Sequence, residues 1–351
     1  MTSKVAQTEN FFNFGELKIR ELTALNPDST IFLLPVSSLE AHGYHLPHNA
    51  DQSFSIIMAE VAAHAFAKKY PEWNVVLFPL LSVGSATIPY PGSVNMPKEV
   101  VYQAVYHTAK SIHQYGFKNL VITTGHGGLS HNMAIDDACR SAIKKLGMNM
   151  FSPGVLFMED YIFGKSFSKI ETELGRDLTI EEKKGLTHME HGAAWETSIA
   201  LADYPHLVDK NYKTIPTLES KPGRIIKFFS PILEGISNRI PPLRRYLADH
   251  DFTIKKLLLI LKSTNSLYSQ KKEDWTYVGD PASGSSEIGE AWKKSFAKDM
   301  VNCMEDVVLQ QTKSPNDFLS PYTRFFFMRR PFFTSLKWSG IMAVLLFAYL
   351  S

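Results

Sequence analysis

Short apolar runs alternate with longer, helix-patterned segments through the first half of the chain. The apolar runs occupy residues 29–38, 73–84, 118–128 and 148–157, and helical spacing of apolar residues is seen over residues 51–70, 96–116 and 130–147. Buried strands joined by connections of helix length are typical of parallel sheets covered by helices on both faces. We therefore predict an α/β protein, a three-layer α-β-α sandwich around a mainly parallel sheet.

The second half of the chain has a different composition. Helical patterns return at residues 188–209, where the helix should end near Tyr204 and Pro205, and again at 285–311. Between them, residues 221–272 contain eleven Lys and Arg against three Asp and Glu. We predict one domain over residues 1–312, with a basic insertion at about 210–275, followed by an apolar C-terminal tail at 313–351.

The tail is aromatic and basic, and it ends in an uncharged stretch at residues 338–351. Such a stretch is shorter than the roughly 20 apolar residues that span a bilayer. Two interpretations stay open for the tail and the insertion. In the first, they form a solvated extension or a subunit contact. In the second, they touch an anionic membrane surface.

Charge and cysteine content exclude several classes of protein. The formal net charge of +2 gives no basic footprint for a nucleic-acid partner. The two cysteines, Cys139 and Cys303, are too few for a disulfide framework or a cysteine-based zinc site. The N-terminal residues lack a continuous apolar signal segment. We predict a cytoplasmic protein, with peripheral membrane association through the tail as the alternative.

Metal-binding side chains are concentrated directly after the first apolar run. Glu40, His42, His45 and Asp51 all lie in the segment "LEAHGYHLPHNAD". Glu40 and His42 are two positions apart, so in an extended segment they point to the same side. The carboxyl ends of parallel strands are where ligands bind in open α/β sheets. The cluster predicts a metal site there, and the alternative is a polar loop with packed histidines.

Residues far along the chain can complete this site. His126 lies on a "TTGHGG" turn after another strand, and Glu196 lies five residues after His191. Carboxylates and imidazoles suit Zn²⁺, Mn²⁺ or Fe²⁺, and a carboxylate such as Asp51 can bridge two ions. Gly127 and Gly128 would let the backbone pass close to the site.

Two aromatic residues lie near these motifs in the sequence. Trp195 and Tyr90 could wall a substrate pocket, or they could be ordinary core aromatics.

Five segments, in order, resemble the motifs of the creatininase (creatinine amidohydrolase) family. "LEAHGYHLPHNAD" resembles the signature E-x-H-G-x-H-L-P-x-x-x-D, and "TGHGG" resembles N-G-H-G-G-N. "HGAAWETSIALADYPHLVD" is similar to the motif H-A-G-x-x-E-T-S with its Tyr-Pro ending. "YPGSVNM" and "GDPASGSSEIGEAW" resemble the Phe-Pro-Gly-Thr loop and the late Gly-Asp-Pro segment. The resemblance covers roughly residues 15–312.

The resemblance implies a creatininase-like fold, two divalent metal ions (Zn, Mn or Fe) and hydrolysis of a C–N bond in a small cyclic or linear amide. The metal ligands it implies are Glu40, His42, Asp51, His126 and Glu196, with Asp51 bridging the ions. His191 would be the proton shuttle, and His45 would lie behind the ligands or touch substrate. Two ions that share a water molecule would lower its pKa and supply hydroxide near neutral pH. The family also implies a homo-oligomer.

Three departures from the family motifs bear on the substrate. Leu129 replaces an Asn, so a polar contact is lost unless Asn132 supplies it. Gly128 stands where creatininase proper has a Glu, which disfavours creatinine as substrate and makes Glu196 more necessary. The third motif reads His-Gly-Ala instead of His-Ala-Gly.

Two further functions stay open, a peptide-trimming metallopeptidase-like maturation enzyme and a non-catalytic scaffold that keeps the fold.

Overall fold

A computed structural model describes residues 10–162, 164–187, 191–219 and 276–320 of the chain. These residues contain a six-stranded sheet in which every pairing is parallel. The strands are β1 (Phe11–Asn13), β2 (Thr30–Ser37), β3 (Asn74–Leu77), β4 (Leu81–Ser82), β5 (Asn119–Thr123) and β6 (Asn149–Phe151). Their order is β1-β3-β2-β5-β6, and β4 pairs with the carboxyl end of β2. The predicted parallel sheet is confirmed.

Strand β2 lies at the centre of the sheet, and all eight of its residues are buried. Its register places Phe32 opposite Val76 on β3 and opposite Leu120 on β5. A continuous apolar run suits a strand that is covered on both faces. Full burial of each large apolar side chain contributes about 1.5–3 kcal/mol to folding.

The α-helices of the described residues are α1 (Ile19–Ala24), α2 (Ala50–Lys69), α3 (Lys98–Gln114), α4 (Leu129–Leu146), α5 (Gly154–Ile162), α6 (Phe167–Leu174), α7 (Ile180–Leu186), α8 (Ala194–Asp203) and α9 (Ser286–Met304). Helix α2 packs on the sheet and also contacts α9, which packs against α6 and α8. Helix α3 packs against α4. These helices form the outer layers of the predicted sandwich.

Three predicted elements are wrong in part. The run over residues 73–84 is two strands, because Pro79 lies between them and has no N–H to donate to a sheet. Only the first residues of the run at 148–157 form a strand, since helix α5 begins directly after Pro153. The helix predicted from residue 188 begins at Ala194. Gly192 before it has a φ of +64°, which a helix cannot include.

Most of the basic insertion and tail lie outside the described residues. Residues 220–275 and 321–351 are not among them, so the domain boundaries stay a prediction. The described start of the tail is packed on the core, since Phe318 and Leu319 are buried and Phe318 contacts Phe151 of β6. Within the described ranges, none of the helices has the length and apolar character that a bilayer crossing requires.

Candidate metal centre

The clustered acidic and histidine residues meet at the carboxyl ends of two neighbouring strands. Glu40 and His42 follow β2, and His126 follows β5, which pairs with β2. Asp51 lies in the first turn of α2 and points into the same space. The predicted meeting of these segments at one sheet edge is therefore observed. All four side chains are buried.

His42 is held by the backbone on one side and faces carboxylates on the other. Its Nδ1 lies 2.9 Å from the backbone oxygen of Glu40, which fixes Nδ1 as the donor. Its Nε2 lies 3.0 Å from Asp51 Oδ1 and 3.5 Å from Glu196 Oε2. In the neutral ring, this second nitrogen carries a lone pair that faces two carboxylates.

His126 repeats this arrangement with the nitrogens exchanged. Its Nε2 lies 3.0 Å from the backbone oxygen of Ser85 and donates to it. Its Nδ1 lies 2.9 Å from Asp51 Oδ2 and 2.9 Å from Glu40 Oε2. Asp51 therefore directs one carboxylate oxygen at each imidazole.

Two candidate ligand sets share Asp51 at this site. Glu40, Asp51 and His126 form one set, and His42, Asp51 and Glu196 form the other, with ligand atoms within 4.8 Å of one another in each. Lone pairs that converge in a buried space repel unless protons or cations lie between them. Glu40 Oε2 is buried 2.9 Å from His126 Nδ1, but this contact lacks the geometry of a hydrogen bond. Nitrogen and oxygen donors of this kind fit divalent Zn, Mn or Fe.

The two remaining predicted histidines lie beside these ligands. The His191 ring stacks on His42 with 4.2 Å between the ring centroids, and its Nε2 lies 2.8 Å from the oxygen of Ala41. His191 also forms a third candidate ligand set with Glu40 and His42. His45 is buried, and its Nε2 lies 3.1 Å from Thr197 Oγ1.

Burial and charge shift the pKa values of these groups in opposite directions. Burial lowers the pKa of His42, but Asp51, Glu196 and Glu40 outweigh it and raise this pKa to about 10. Burial raises the pKa of Glu196. Burial, followed by the charge of His42, lowers the pKa of His45 to about 4, so that its ring is neutral at pH 7. In the absence of metal, protons on His42 therefore supply the positive charge that the carboxylates require.

A profile of one known family spans most of the chain. The family is described as "Creatinine amidohydrolase", and it matches residues 15–304. The chain belongs to the creatininase family. The family's members are amidohydrolases, which act on C–N amide bonds, and the recognition of its motifs in the sequence is confirmed.

Known creatininases are similar to the chain in sequence and in fold. A creatinine amidohydrolase of Pseudomonas putida is 25% identical over 209 residues, covering 56% of this chain and 73% of that protein. A solved structure named "Creatininase Mn" has a TM-score of 0.56 at 18% identity, covering 85% of this chain and 98% of that one. A mutant creatininase of "Zn-Zn type" has a TM-score of 0.52 at 17% identity, with the same coverage. The predicted creatininase-like fold is confirmed.

The glycine turn, residues 125–128 of this creatininase-family chain, has little room for side chains at two of its glycines. A Cβ atom at Gly128 would lie 2.3 Å from His126 Nε2 and 2.7 Å from the oxygen of Ser85. A Cβ at Gly127 would meet nothing within 4 Å. Close approach of the backbone therefore requires glycine at position 128 but not at position 127. Gly125 was not singled out in the sequence, yet a Cβ there would lie 2.8 Å from the oxygen of Asp51.

Asn132 makes two polar contacts at the turn where Leu129 stands in place of the family Asn. Its side-chain nitrogen donates to the backbone oxygens of His126, at 3.0 Å, and Gly128, at 2.9 Å. Leu129 itself is exposed at the start of α4. The polar contact expected at this turn is therefore present, one helical turn further along the chain.

The two candidate pocket aromatics lie in different surroundings. Trp195 is buried in the core, where its indole N–H donates to the oxygen of Leu186 at 2.9 Å. This is the position expected for the core-aromatic interpretation. Tyr90 is half-buried in the turn after Ile88. Its role in substrate binding stays a prediction.

Sequence reasoning missed two residues that act through their backbone. The oxygen of Ser85 holds His126, and the N–H of Ile88 donates to Glu40 Oε1 at 2.5 Å. Every residue has a backbone oxygen and every residue except proline has an N–H, so the side-chain pattern contains no signal for these contacts. His131 was also passed over, although it is buried and its ring lies 5.0 Å from that of His126.

The raised pKa of His42 predicts how the metal-free protein responds to pH. The pKa of His42 is about 10 in the folded protein and 6.5 in the unfolded chain. Protonated His42 therefore stabilises the fold fully below pH 6.5, and this stabilisation is lost as the pH rises toward 10. We expect the free energy of unfolding to fall across this window in urea titrations of chelator-treated protein. Bound divalent ions replace the protons, so metal-loaded protein should show a much smaller decline. Equal slopes for the two forms would contradict this assignment.

Proposed function

We propose that the chain is a metal-dependent amidohydrolase that cleaves the C–N bond of a small cyclic or linear amide. The observation that carries this proposal is the position of Asp51 between two buried imidazoles, each of which faces a further carboxylate. Family membership supports the same reaction class.

Two divalent ions would be held by the two ligand sets that share Asp51. Relatives named for manganese and for a zinc pair support Mn and Zn as candidates. When bound, such ions polarise a carbonyl and lower the pKa of water. The backbone oxygens of Glu40 and Ser85 orient His42 and His126, which fixes the nitrogen that each offers. The N–H of Ile88 holds Glu40 in the same way.

His191 is proposed to deliver a proton to the leaving nitrogen. It is only partly buried, so it can exchange protons with solvent, and it lies against His42. Imidazole is the side chain that most often acts as a general acid near neutral pH. His45 is more deeply buried and bonded to Thr197, so we propose that it supports the wall behind the ligands.

The His191→Gln substitution tests this assignment. We expect kcat for amide hydrolysis to fall about 10²–10⁴-fold, the usual contribution of a positioned general acid. The metal content should stay unchanged, because His191 belongs to neither set that contains Asp51. Steady-state kinetics and elemental analysis of the same samples measure both quantities. Loss of an ion together with activity would show that His191 is a ligand instead.

A substrate panel separates the proposed function from its alternatives. Metal-loaded protein would be tested on simple amides, lactams and short peptides. Preferential trimming of peptides would favour the maturation-enzyme alternative, and protein that binds no metal would favour the scaffold. Homo-oligomer formation, a cytoplasmic location and contact of the tail with a membrane surface stay predictions.

A further inference from the structure

A buried histidine that is not a candidate ligand lies against the metal centre. His131 is in the first turn of α4 and is fully buried. Its ring meets the ring of His126 edge to face, with 5.0 Å between the centroids. It belongs to none of the candidate ligand sets among the described residues. Its hydrogen bonds therefore have to explain why a polar ring is kept at this position.

The hydroxyl of Thr124 joins His131 to the backbone of His126. Thr124 Oγ1 accepts from the N–H of His126 at 3.2 Å and lies 3.0 Å from His131 Nε2. These are its two hydrogen-bond partners among the described residues. Because the N–H of His126 is a donor, the hydroxyl proton is left for His131 Nε2, which accepts it. Burial lowers the pKa of His131, so its ring is neutral at pH 7 and its single proton is on Nδ1.

This Nδ1 proton is poorly satisfied. His131 Nδ1 is buried near the backbone of Val36, but this contact lacks the geometry of a hydrogen bond. A buried N–H without a good acceptor weakens a fold, so such a group in a native protein calls for an explanation. An apolar side chain would fill the position without this penalty. The penalty is explained if the other nitrogen of the ring is needed to hold Thr124.

Both backbone groups of His126 are fixed by side chains that belong to, or are held by, the first turn of α4. Its N–H donates to Thr124, whose hydroxyl is oriented by His131. Its oxygen accepts from the side-chain nitrogen of Asn132 at 3.0 Å. The backbone position of His126 determines where its imidazole stands relative to the carboxylates of the metal centre.

We propose that His131 is a positioning residue of the metal centre, which acts through Thr124 to fix His126. The inference rests on the proposed function and adds to it a dependence that concerns one of the two ions. The ion held by Glu40, Asp51 and His126 requires His131, and the ion of the other set, which lacks His126, does not. Loss of a group that orients a metal ligand usually weakens metal binding about 10–100-fold.

Single ligand substitutions separate the two ions for the test. Glu196→Gln leaves the set with Glu40 and His126, and Glu40→Gln leaves the set with His42 and Glu196. In each background, His131→Leu removes the acceptor for the Thr124 hydroxyl, and His131→Gln supplies an amide oxygen in its place. The Kd for Zn²⁺ is measured by competition with a coloured chelator, and circular dichroism establishes that each variant is folded.

In the Glu196→Gln background, His131→Leu should raise the Kd for Zn²⁺ about 10–100-fold, and His131→Gln should restore most of the affinity. In the Glu40→Gln background, neither variant should change the Kd by more than about twofold. Equal weakening in both backgrounds would show a merely structural role and overturn the inference, as would no change in either.

Thr124→Val gives a second, nearly isosteric test that leaves His131 in place. In the Glu196→Gln background it should weaken Zn²⁺ binding as His131→Leu does, and the double variant should bind no more weakly than either single one, because both break the same link. Thr124→Ser keeps the hydroxyl and should bind Zn²⁺ normally. Additive losses in the double variant would contradict the link through Thr124.

Nitrogen-15 NMR of chelator-treated protein provides a readout that needs no metal. The neutral ring of His131 should carry its proton on Nδ1, and a proton on Nε2 would overturn the hydrogen-bond assignment. Wild type that binds Zn²⁺ but hydrolyses no amide would overturn the proposed function alone. Wild type that binds no Zn²⁺ would overturn the proposed function and this inference together.

Discussion

Asp51→Asn protein is expected to fold but to lose both divalent ions and at least about a thousandfold in amide hydrolysis. Asp51 is the residue shared by the two ligand sets, and each of its oxygens faces a different imidazole. Asparagine has nearly the same volume but replaces one oxygen with a nitrogen donor and removes the charge. Elemental analysis should find about two ions per chain in wild type and nearly none in the variant.

Glu196→Gln provides the matched control for this experiment. Glu196 belongs only to the set with His42 and Asp51, so its loss should leave the set with Glu40 and His126 able to hold one ion. Circular dichroism would establish that both variants keep the fold. If Asp51→Asn kept two ions per chain, the shared-carboxylate arrangement would be wrong.

Gly128→Ala is expected to disturb the metal centre far more strongly than Gly127→Ala. The new Cβ would lie within 2.3 Å of His126 Nε2, so that the ring or the turn must move. Overpacking of this kind costs about 1–3 kcal/mol. Displacement of His126 should also remove most of the ion held with Glu40 and Asp51 and reduce turnover. Thermal unfolding, elemental analysis and kinetics measure the three effects.

Gly127→Ala is the matched control, because a Cβ at that position meets nothing within 4 Å. It should keep its metal content and activity nearly unchanged. Equal losses in the two variants would show that close approach at Gly128 is not the cause.

Much of the fold could be predicted because burial leaves a regular pattern in the sequence. The buried run of β2 and the helical spacing of α2, α3 and α4 are local features, and Gly147 ends α4 with a φ of +68°. Strand β1 has only three half-buried residues at one edge of the sheet, so it was not predicted. Residues 73–84 were predicted to form one strand because most of them are apolar. Pro79, which has no N–H to donate, divides them into two strands.

The sequence by itself determined the family, the parallel sheet and the types of side chain that meet at its edge. Glu40, His42, Asp51 and His126 could be named because their spacing and motifs are local. Only the tertiary structure decided that Asp51 lies between two imidazoles and that Trp195 lies in the core. It also decided that Ser85 and Ile88 orient the ligands through their backbone. These features depend on the packing of segments that are distant in the chain, and on backbone groups that nearly every residue type possesses.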